Sequence, residues 1–467
     1  MNNEFNIDNM TVNCDSYKLC HWPMYTEDTT HVYSYFEARN GARFNKTVFF
    51  GLQYLLEKYL TTPISLQDIV EGLEFTANHL GDEKYYNVAM WEYIYNELGG
   101  YLPIKIRAVP EGTPVDASNV LMTVENTDPK CPALTNHLET ILTHVWGPST
   151  VATLSREVRI LCKYYLEETA EPDALDTHLP FMLHDFGFRG VNQLEAAGIA
   201  GAAHLINFRG TDTIPAMQYA RKYYNANLAN LAWSVPASEH SVMTAHGAKG
   251  EERIFKRMLD TFPTGILSVV IDSYNYKRFI SEYAGKYKDQ ILARGDGKVV
   301  FRPDSGEPTT VTLDVLKELA LIFGTTVNSK GYNQLNPKVG VIWGDGIEYS
   351  GIRDILYAMK NNNWSASNIV FGMGGGLLQK INRDTQRFAF KSSAQKRNGQ
   401  WYNIFKEPLD TSKTSKRGRL ILTQNEKGHY QTEQTFKEED EGLLRTVFLN
   451  GEVINPITFG EIRKNAE

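Results

Sequence analysis

VVFRPDSGEP, residues 299–308, begins as an unbroken apolar run and stops in an arginine, a proline, a carboxylate, a serine and a glycine. A run that is apolar at successive positions suits a strand buried on both faces, and such strands belong to parallel sheets covered by helices. Residues 312–324, TLDVLKELALIFG, follow with apolar residues at helical spacing. The stretch therefore predicts one strand, turn and helix unit, with Arg302 and Asp304 side by side at the strand's end.

The same order recurs through the middle of the chain, in FMLHDFGFRG (181–190), LINFRGTDT (205–213), WSVPASEHS (233–241), SVVIDSYNY (268–276), VGVIWGDG (339–346) and NIVFGMGGG (368–376). The polar turns fall roughly 30 residues apart, the length of one βα unit with its return loop. Between them lie amphipathic stretches such as EERIFKRMLDTF (251–262) and GIRDILYAMKNN (351–362). This alternation predicts an α/β fold with a parallel sheet. About seven units favour a closed or nearly closed barrel, and a doubly wound sheet satisfies the same pattern. In either case the turns gather at the C-terminal strand ends, where ligands bind.

The flanks differ. HVYSYFEAR, LPIKIRAV, RLILT and TVFLNGEVI have strand character, TVFFGLQYLLEKYL has helical character, and a long helical region is expected near 134–168. The expected organisation is a supporting α+β domain built from both chain ends, residues 1–175 and 391–467, around a catalytic barrel over 176–390.

The chain has 467 residues and a formal net charge of −7, which argues against a broad nucleic-acid face. The four cysteines, Cys14, Cys20, Cys131 and Cys162, form no CxxC pair and fit a reducing compartment. MNNEFNIDNM lacks the features of a secretory leader, and no apolar run reaches the ~20 residues of a membrane span. A cytoplasmic protein without membrane or nucleic-acid partners is expected.

Each turn taken alone has a plain structural use, because Asp, Ser, Asn and Gly end strands and cap helices. Their convergence at one mouth favours chemistry. GMGGG (372–376) lets backbone N–H groups approach a phosphate, with Lys380 and Arg383 expected on the first turns of the helix after it, and GDG (344–346) repeats the arrangement. Asp272 and Asp304 end neighbouring strands and suit a magnesium ion held partly through water, with Asp345 a third candidate. Arg302 fits an anion clamp beside that ion. Phe186 is either core or a stacking surface for a flat ring, and Asp212 is placed to accept a hydrogen bond from such a ring. His240, beside Glu239, is the side chain suited to change charge near neutral pH.

These segments, with DSYKLCHWPMY (15–25), YSYFEAR, FGMGGGLLQK, RFAFKSS and EIRKNAE, resemble the nicotinamide phosphoribosyltransferases, a group of type II phosphoribosyltransferases. The resemblance spans nearly the whole chain and implies an irregular (β/α) barrel. It implies transfer of the 5-phosphoribosyl group of phosphoribosyl pyrophosphate to nicotinamide, with magnesium required, ATP stimulatory and a homodimer sharing its active sites. Phe186 would stack on the pyridine ring, with Tyr17 of the second subunit on its other face. Asp212 would accept the carboxamide N–H. Arg302 would lie near the ring and ribose, Asp272 and Asp304 near magnesium and the ribose or pyrophosphate, and Asp345 would contact the ribose. Gly344, Gly375, Gly376 and Arg383 would hold the 5-phosphate, with Arg189 nearby, and Arg39, Lys391 and Lys406 the pyrophosphate side. His240 would be phosphorylated by ATP. The stretch EARNGARFNKTVFF is shorter than in animal members, and the basic run SKTSKRGR (412–419), with Lys413 and Lys416, reads as a solvated loop. A nicotinate phosphoribosyltransferase of the same architecture, or a nucleotide-binding protein without turnover, is the alternative.

Overall fold

The alternating segments of the middle of the chain form six parallel strands in the computed structural model, which describes residues 6–407, 409, 414–437 and 442–467. They are β1 (Leu183–Asp185), β2 (Gly210–Thr211), β3 (Leu267–Val270), β4 (Val299–Arg302), β5 (Val339–Trp343) and β6 (Ile369–Met373), in the order β2-β1-β6-β5-β4-β3. Val299 and Phe301 are fully buried, as are Leu267, Val269 and Val270 on the neighbouring strand. That burial on both faces is why these strands read as unbroken apolar runs rather than alternating ones.

The remaining segment, WSVPASEHS, closes the ring. Trp233 bridges to Gly210 and Ala237 to Ser268, both in parallel register. Pro236 lacks an N–H and leaves only its carbonyl to accept from Ser268 N, at 2.9 Å, so the segment bridges both edges without becoming a regular strand. Seven members in sequence order thus make a closed, irregular barrel. The helices between them follow local signals. In Pro308–Phe323 the Glu307 side chain accepts from the N–H groups of Thr309 and Thr310, with Pro308 at the first position.

The chain divides into two compact units: residues 154–219 with 227–381, which hold the barrel, and residues 1–153, 220–226 and 382–467. The breaks at 153/154 and 381/382 differ from the sequence-based boundaries of 175/176 and 390/391. The second unit is built on a seven-stranded sheet in which Thr29–Ala38 pairs antiparallel with Phe388–Arg397 on one side and Val120–Asn126 on the other. One stretch read as helical is corrected there. Residues 47–50 belong with strand Lys46–Val48 and the turn after it, and the helix begins at Leu52, because Gly51 takes a φ of 102° that breaks the chain's path. Glu111 then receives the first N–H groups of that helix, from Gly51 and Gln53, both at 2.7 Å.

Candidate functional site

The C-terminal strand ends of the barrel collect the polar turns. Asp272 follows β3 and Asp304 follows β4, and these strands are hydrogen-bonded neighbours with Val270 opposite Arg302. His240 comes from the bridging segment. Its Nε2 lies 3.4 Å from Asp304 Oδ2 and 3.8 Å from Asp272 Oδ1, while its Nδ1 is 3.1 Å from Ser273 Oγ. Ser305 donates to the other oxygen of Asp272. The serine on Nδ1 fixes the ring, and Nε2 faces the two carboxylates.

Asp272 is nearly buried, yet its Oδ1 has no hydrogen-bond partner among the described residues. A buried carboxylate oxygen without a donor is costly unless something else occupies its free side. Among the described residues no group of three or more His, Cys, Asp or Glu side chains forms a complete metal cage. A hard cation bound through one or two carboxylates, waters and substrate phosphates fits this arrangement, which is how magnesium is commonly held. Arg302 Nε is also buried without a hydrogen-bond partner and lies 3.9 Å from Asp304 Oδ1.

A cavity of about 600 Å³ opens beside this cluster. Phe186, Asp212, Ser234 and Arg302 line it at the strand ends, and Lys298 and Asn368 line it at the strand starts, so the barrel is bored through rather than filled by side chains. The ring of Phe186 is seated by glycine. A Cβ at Gly372 would fall far inside the contact distance of Phe186 Cε2, and one at Gly344 would meet the same atom at 3.3 Å. Ser234 Oγ donates to Asp212 Oδ1 at 2.5 Å, and both residues line the cavity. Behind it, burial pushes the Asp185 carboxyl up to about 6, and Asp185 Oδ1 accepts from Gly187 N at 2.7 Å, tying down the turn that carries Phe186.

The glycine turn of β6 corrects one expectation. The helix after it is only Gly375–Leu378, so Lys380 and Arg383 lie beyond its end, and Lys380 pairs with Glu348 at 2.7 Å. Four residues supply little helix dipole. Gly376 is packed against Ile347 O, where a Cβ would come within 2.7 Å, whereas Gly375 faces open space. Arg189 and Asp345 are exposed on their turns.

A second set of expected residues lies on the other unit. Lys391 is held below the usual lysine range first by burial, opposed by Glu139, and then by the positive charges of Lys406, Arg39 and Arg383. Lys406, Arg39 and Arg383 thus lie near enough to Lys391 for their charges to act on it. Arg39 donates from Nε to Arg387 O at 3.1 Å, and Arg383 O accepts from Phe388 N at 3.0 Å, so backbone contacts hold two of them on adjoining turns. Tyr17 is exposed, on the short helix Ser16–Cys20. Lys416 is not a solvated loop residue, because its ammonium pairs with the buried Glu37 and its N–H donates to Tyr35 OH at 2.9 Å. Lys413 lies outside the described residues.

Sequence reasoning missed Ser234, Ser273, Ser305, Glu251 and Arg278. The first three sit in the quoted turns and were readable as hydroxyl partners. Glu251 was read only as a helix residue, and Arg278 lies just beyond the quoted SVVIDSYNY turn. Glu251 is fully buried 3.8 Å from Arg278 Nη2, and burial raises its carboxyl to about 6, with Arg278 opposing and Asp272 adding to the shift.

Residues 181–452 match the nicotinate phosphoribosyltransferase family, and residues 9–106 match the nicotinamide phosphoribosyltransferase N-terminal domain. A protein named nicotinamide phosphoribosyltransferase from Xanthomonas campestris pv. campestris (strain 8004) is 42% identical over 471 residues, covering 99% of this chain and 98% of its own. One of the same name from Acinetobacter baylyi is 34% identical over 486 residues, covering 96% and 95%. Among solved structures, nicotinate-nucleotide pyrophosphorylase from Pyrococcus furiosus superposes with a TM-score of 0.61 at 16% identity, covering 99% of this chain and 96% of that one, a likeness of fold.

Proposed function

Because the chain belongs to the nicotinate phosphoribosyltransferase family, and begins with the N-terminal domain of its nicotinamide-named relatives, we propose that this pentosyltransferase acts on nicotinamide in NAD salvage. The products are nicotinamide mononucleotide and pyrophosphate. The observation that carries the choice of substrate is Asp212, a carboxylate that lines the same cavity as Phe186. A carboxylate accepts a hydrogen bond from an amide N–H and repels the acid at the same place.

The pyridine nitrogen attacks the anomeric carbon with its own lone pair, and the electrons of the breaking C–O bond leave on pyrophosphate. No general base is needed. Phe186 and Asp212 align the ring, and Arg302 lies where negative charge gathers on the leaving group. Asp272 and Asp304 would hold magnesium, which supplies charge neutralisation of the phosphates. His240 presents Nε2 as the nucleophile for the γ-phosphoryl group of ATP, releasing ADP, and Ser273 orients the ring through Nδ1. Hydrolysis of that phosphohistidine would couple ATP to substrate capture. Two copies are proposed to associate, with Tyr17 and the basic residues near Lys391 of one serving the barrel of the other.

The test is mononucleotide formation from phosphoribosyl pyrophosphate and magnesium, with nicotinamide and nicotinate in parallel, each with and without ATP. Nicotinamide turnover raised by ATP is expected. Preference for nicotinate would overturn the reading of Asp212, and turnover of neither would overturn the proposed reaction.

A further inference from the structure

Glu251 and Arg278 form an ion pair in which the carboxylate is fully buried and the arginine side chain is 37% exposed. Glu251 is the first residue of helix Glu251–Thr261, which follows the His240 turn, and Arg278 ends the short helix Tyr276–Arg278, which follows the Asp272 turn. The two arms are already joined by other contacts. Phe255 and Phe279 pack with ring centroids 5.0 Å apart, and Tyr287 OH donates to Glu252 Oε1 at 2.8 Å. Both oxygens of Glu251, and Nε and Nη2 of Arg278, are buried without hydrogen-bond partners among the described residues. A pair this poorly satisfied contributes little to stability, since the cost of removing charge from water is repaid only by good geometry.

Its location gives it a different use. Asn275 Oδ1 accepts from Arg278 N at 2.9 Å, so the residue that reaches Glu251 with its side chain also anchors the Asp272–Asn275 turn with its backbone. We propose that Glu251 and Arg278 are positioning residues for the transfer centre, holding the Asp272 turn against the His240 turn so that Asp272, His240 and Asp304 keep their spacing. This inference rests on the reading of that cluster as the centre of phosphoribosyl transfer. Neutralising Glu251 alone leaves the Arg278 guanidinium unpaired beside the turn, which relaxes as that side chain swings toward water. Removing both charges lifts that penalty.

The test compares wild type, Glu251→Gln, Arg278→Gln and the double variant. For Glu251→Gln we expect kcat to fall about tenfold and KM for phosphoribosyl pyrophosphate to rise at least threefold, while KM for nicotinamide, set by Phe186 and Asp212 on other turns, moves less than twofold. Calorimetric titration with magnesium pyrophosphate, which needs no turnover, should show a loss of affinity of at least threefold. The double variant should recover only in part, above the worse single variant but below wild type, because the unpaired charge is gone and the tie is gone with it; full recovery to wild-type kinetics would show that the pair holds nothing in place. Wild-type kinetics in Glu251→Gln would overturn the inference. So would a fall in kcat matched by the loss of folded protein with both KM values unchanged, and so would a double variant no better than the worse single one. A wild type that turns over neither pyridine substrate would instead overturn the reaction on which the inference rests.

Discussion

Replacing Asp212 by serine tests the substrate reading most directly. In the wild type Ser234 occupies one oxygen of Asp212 at 2.5 Å, so the other is the acceptor left for a carboxamide. Losing a hydrogen bond to a charged group costs about 1.5–3 kcal/mol, or roughly 10- to 150-fold in kcat/KM for nicotinamide. For nicotinate the sign reverses. Two carboxylates about 4 Å apart repel by about 1 kcal/mol at the dielectric of water and about 4 kcal/mol where water is partly excluded. Asp212 is exposed at the mouth, so the lower part of that range applies and nicotinate should gain about five- to tenfold. The ratio of the two kcat/KM values, measured by chromatographic quantification of each mononucleotide, should therefore shift toward the acid by at least about 50-fold. Asp212→Asn keeps the shape without the charge and should show the nicotinate gain as well. A ratio that moves less than twofold in Asp212→Ser would falsify the assignment of amide recognition to this residue.

Four further outcomes can be checked. Gly372→Ala should displace the Phe186 ring and raise KM for nicotinamide by about tenfold or more, and Gly344→Ala, where the added carbon meets the ring at 3.3 Å, should do so less; equal effects would detach these glycines from the ring. His178 is half-buried with Nε2 2.9 Å from Ile369 O, and desolvation pulls its imidazole down to about 4. A base whose folded value lies below its unfolded 6.5 contributes stability that is present above pH 6.5 and lost as the pH falls toward 4, on the order of 3 kcal/mol in all. The difference in denaturation midpoint between wild type and His178→Gln should accordingly shrink on acidification through that window, and a constant difference would refute the neutral imidazole. His240→Ala should abolish ATP hydrolysis and ATP stimulation while retaining basal transfer, as read by ADP release; normal phosphorylation of the variant would remove His240 from that role. Mixing Tyr17→Ala with Asp304→Ala chains should restore part of the activity each lacks alone, and no recovery after verified subunit exchange would count against a shared site.

The barrel was legible because its strands are buried on both faces and so cannot alternate, which makes each one an apolar run ended by a polar turn. The irregular member was read only as one more such run, although Pro236 stands in WSVPASEHS where regular pairing stops. The pairing of Asp272 with Asp304 followed from neighbouring strands. Other parts depended on distant packing. Strand propensity marked the pieces at both chain ends, yet nothing local told that Thr29–Ala38 would lie between Phe388–Arg397 and Val120–Asn126. The bore through the barrel was equally invisible, because the residues that line it are the same valines and isoleucines that would fill it. Glu251 and Arg278 were hidden for a related reason: a charge on the first or last turn of a helix reads as a solvated end, and only the fold shows that the Glu251 carboxylate is buried with the half-exposed Arg278 reaching toward it.

The glycines show how one sequence signal can have two causes. GMGGG and GDG read as places where backbone approaches phosphate, and Gly375, with open space where its Cβ would stand, keeps that reading. Gly372 and Gly344 do something else first, since each gives up the volume that the edge of the Phe186 ring occupies. Both belong to the strand ends that carry the glycine turns, so a single pair of turns makes room for the Phe186 ring and also carries Gly375, where no Cβ contact lies within 4 Å. A ligand that joins a planar ring to a phosphorylated sugar needs both features within a few ångströms, and neither can be widened by substitution without narrowing the other. Crowding accounts for three of the glycines at the ends of β5 and β6: Gly344, Gly372 and Gly376 do not take positive φ values, so at these three it is space, not backbone conformation, that excludes a side chain.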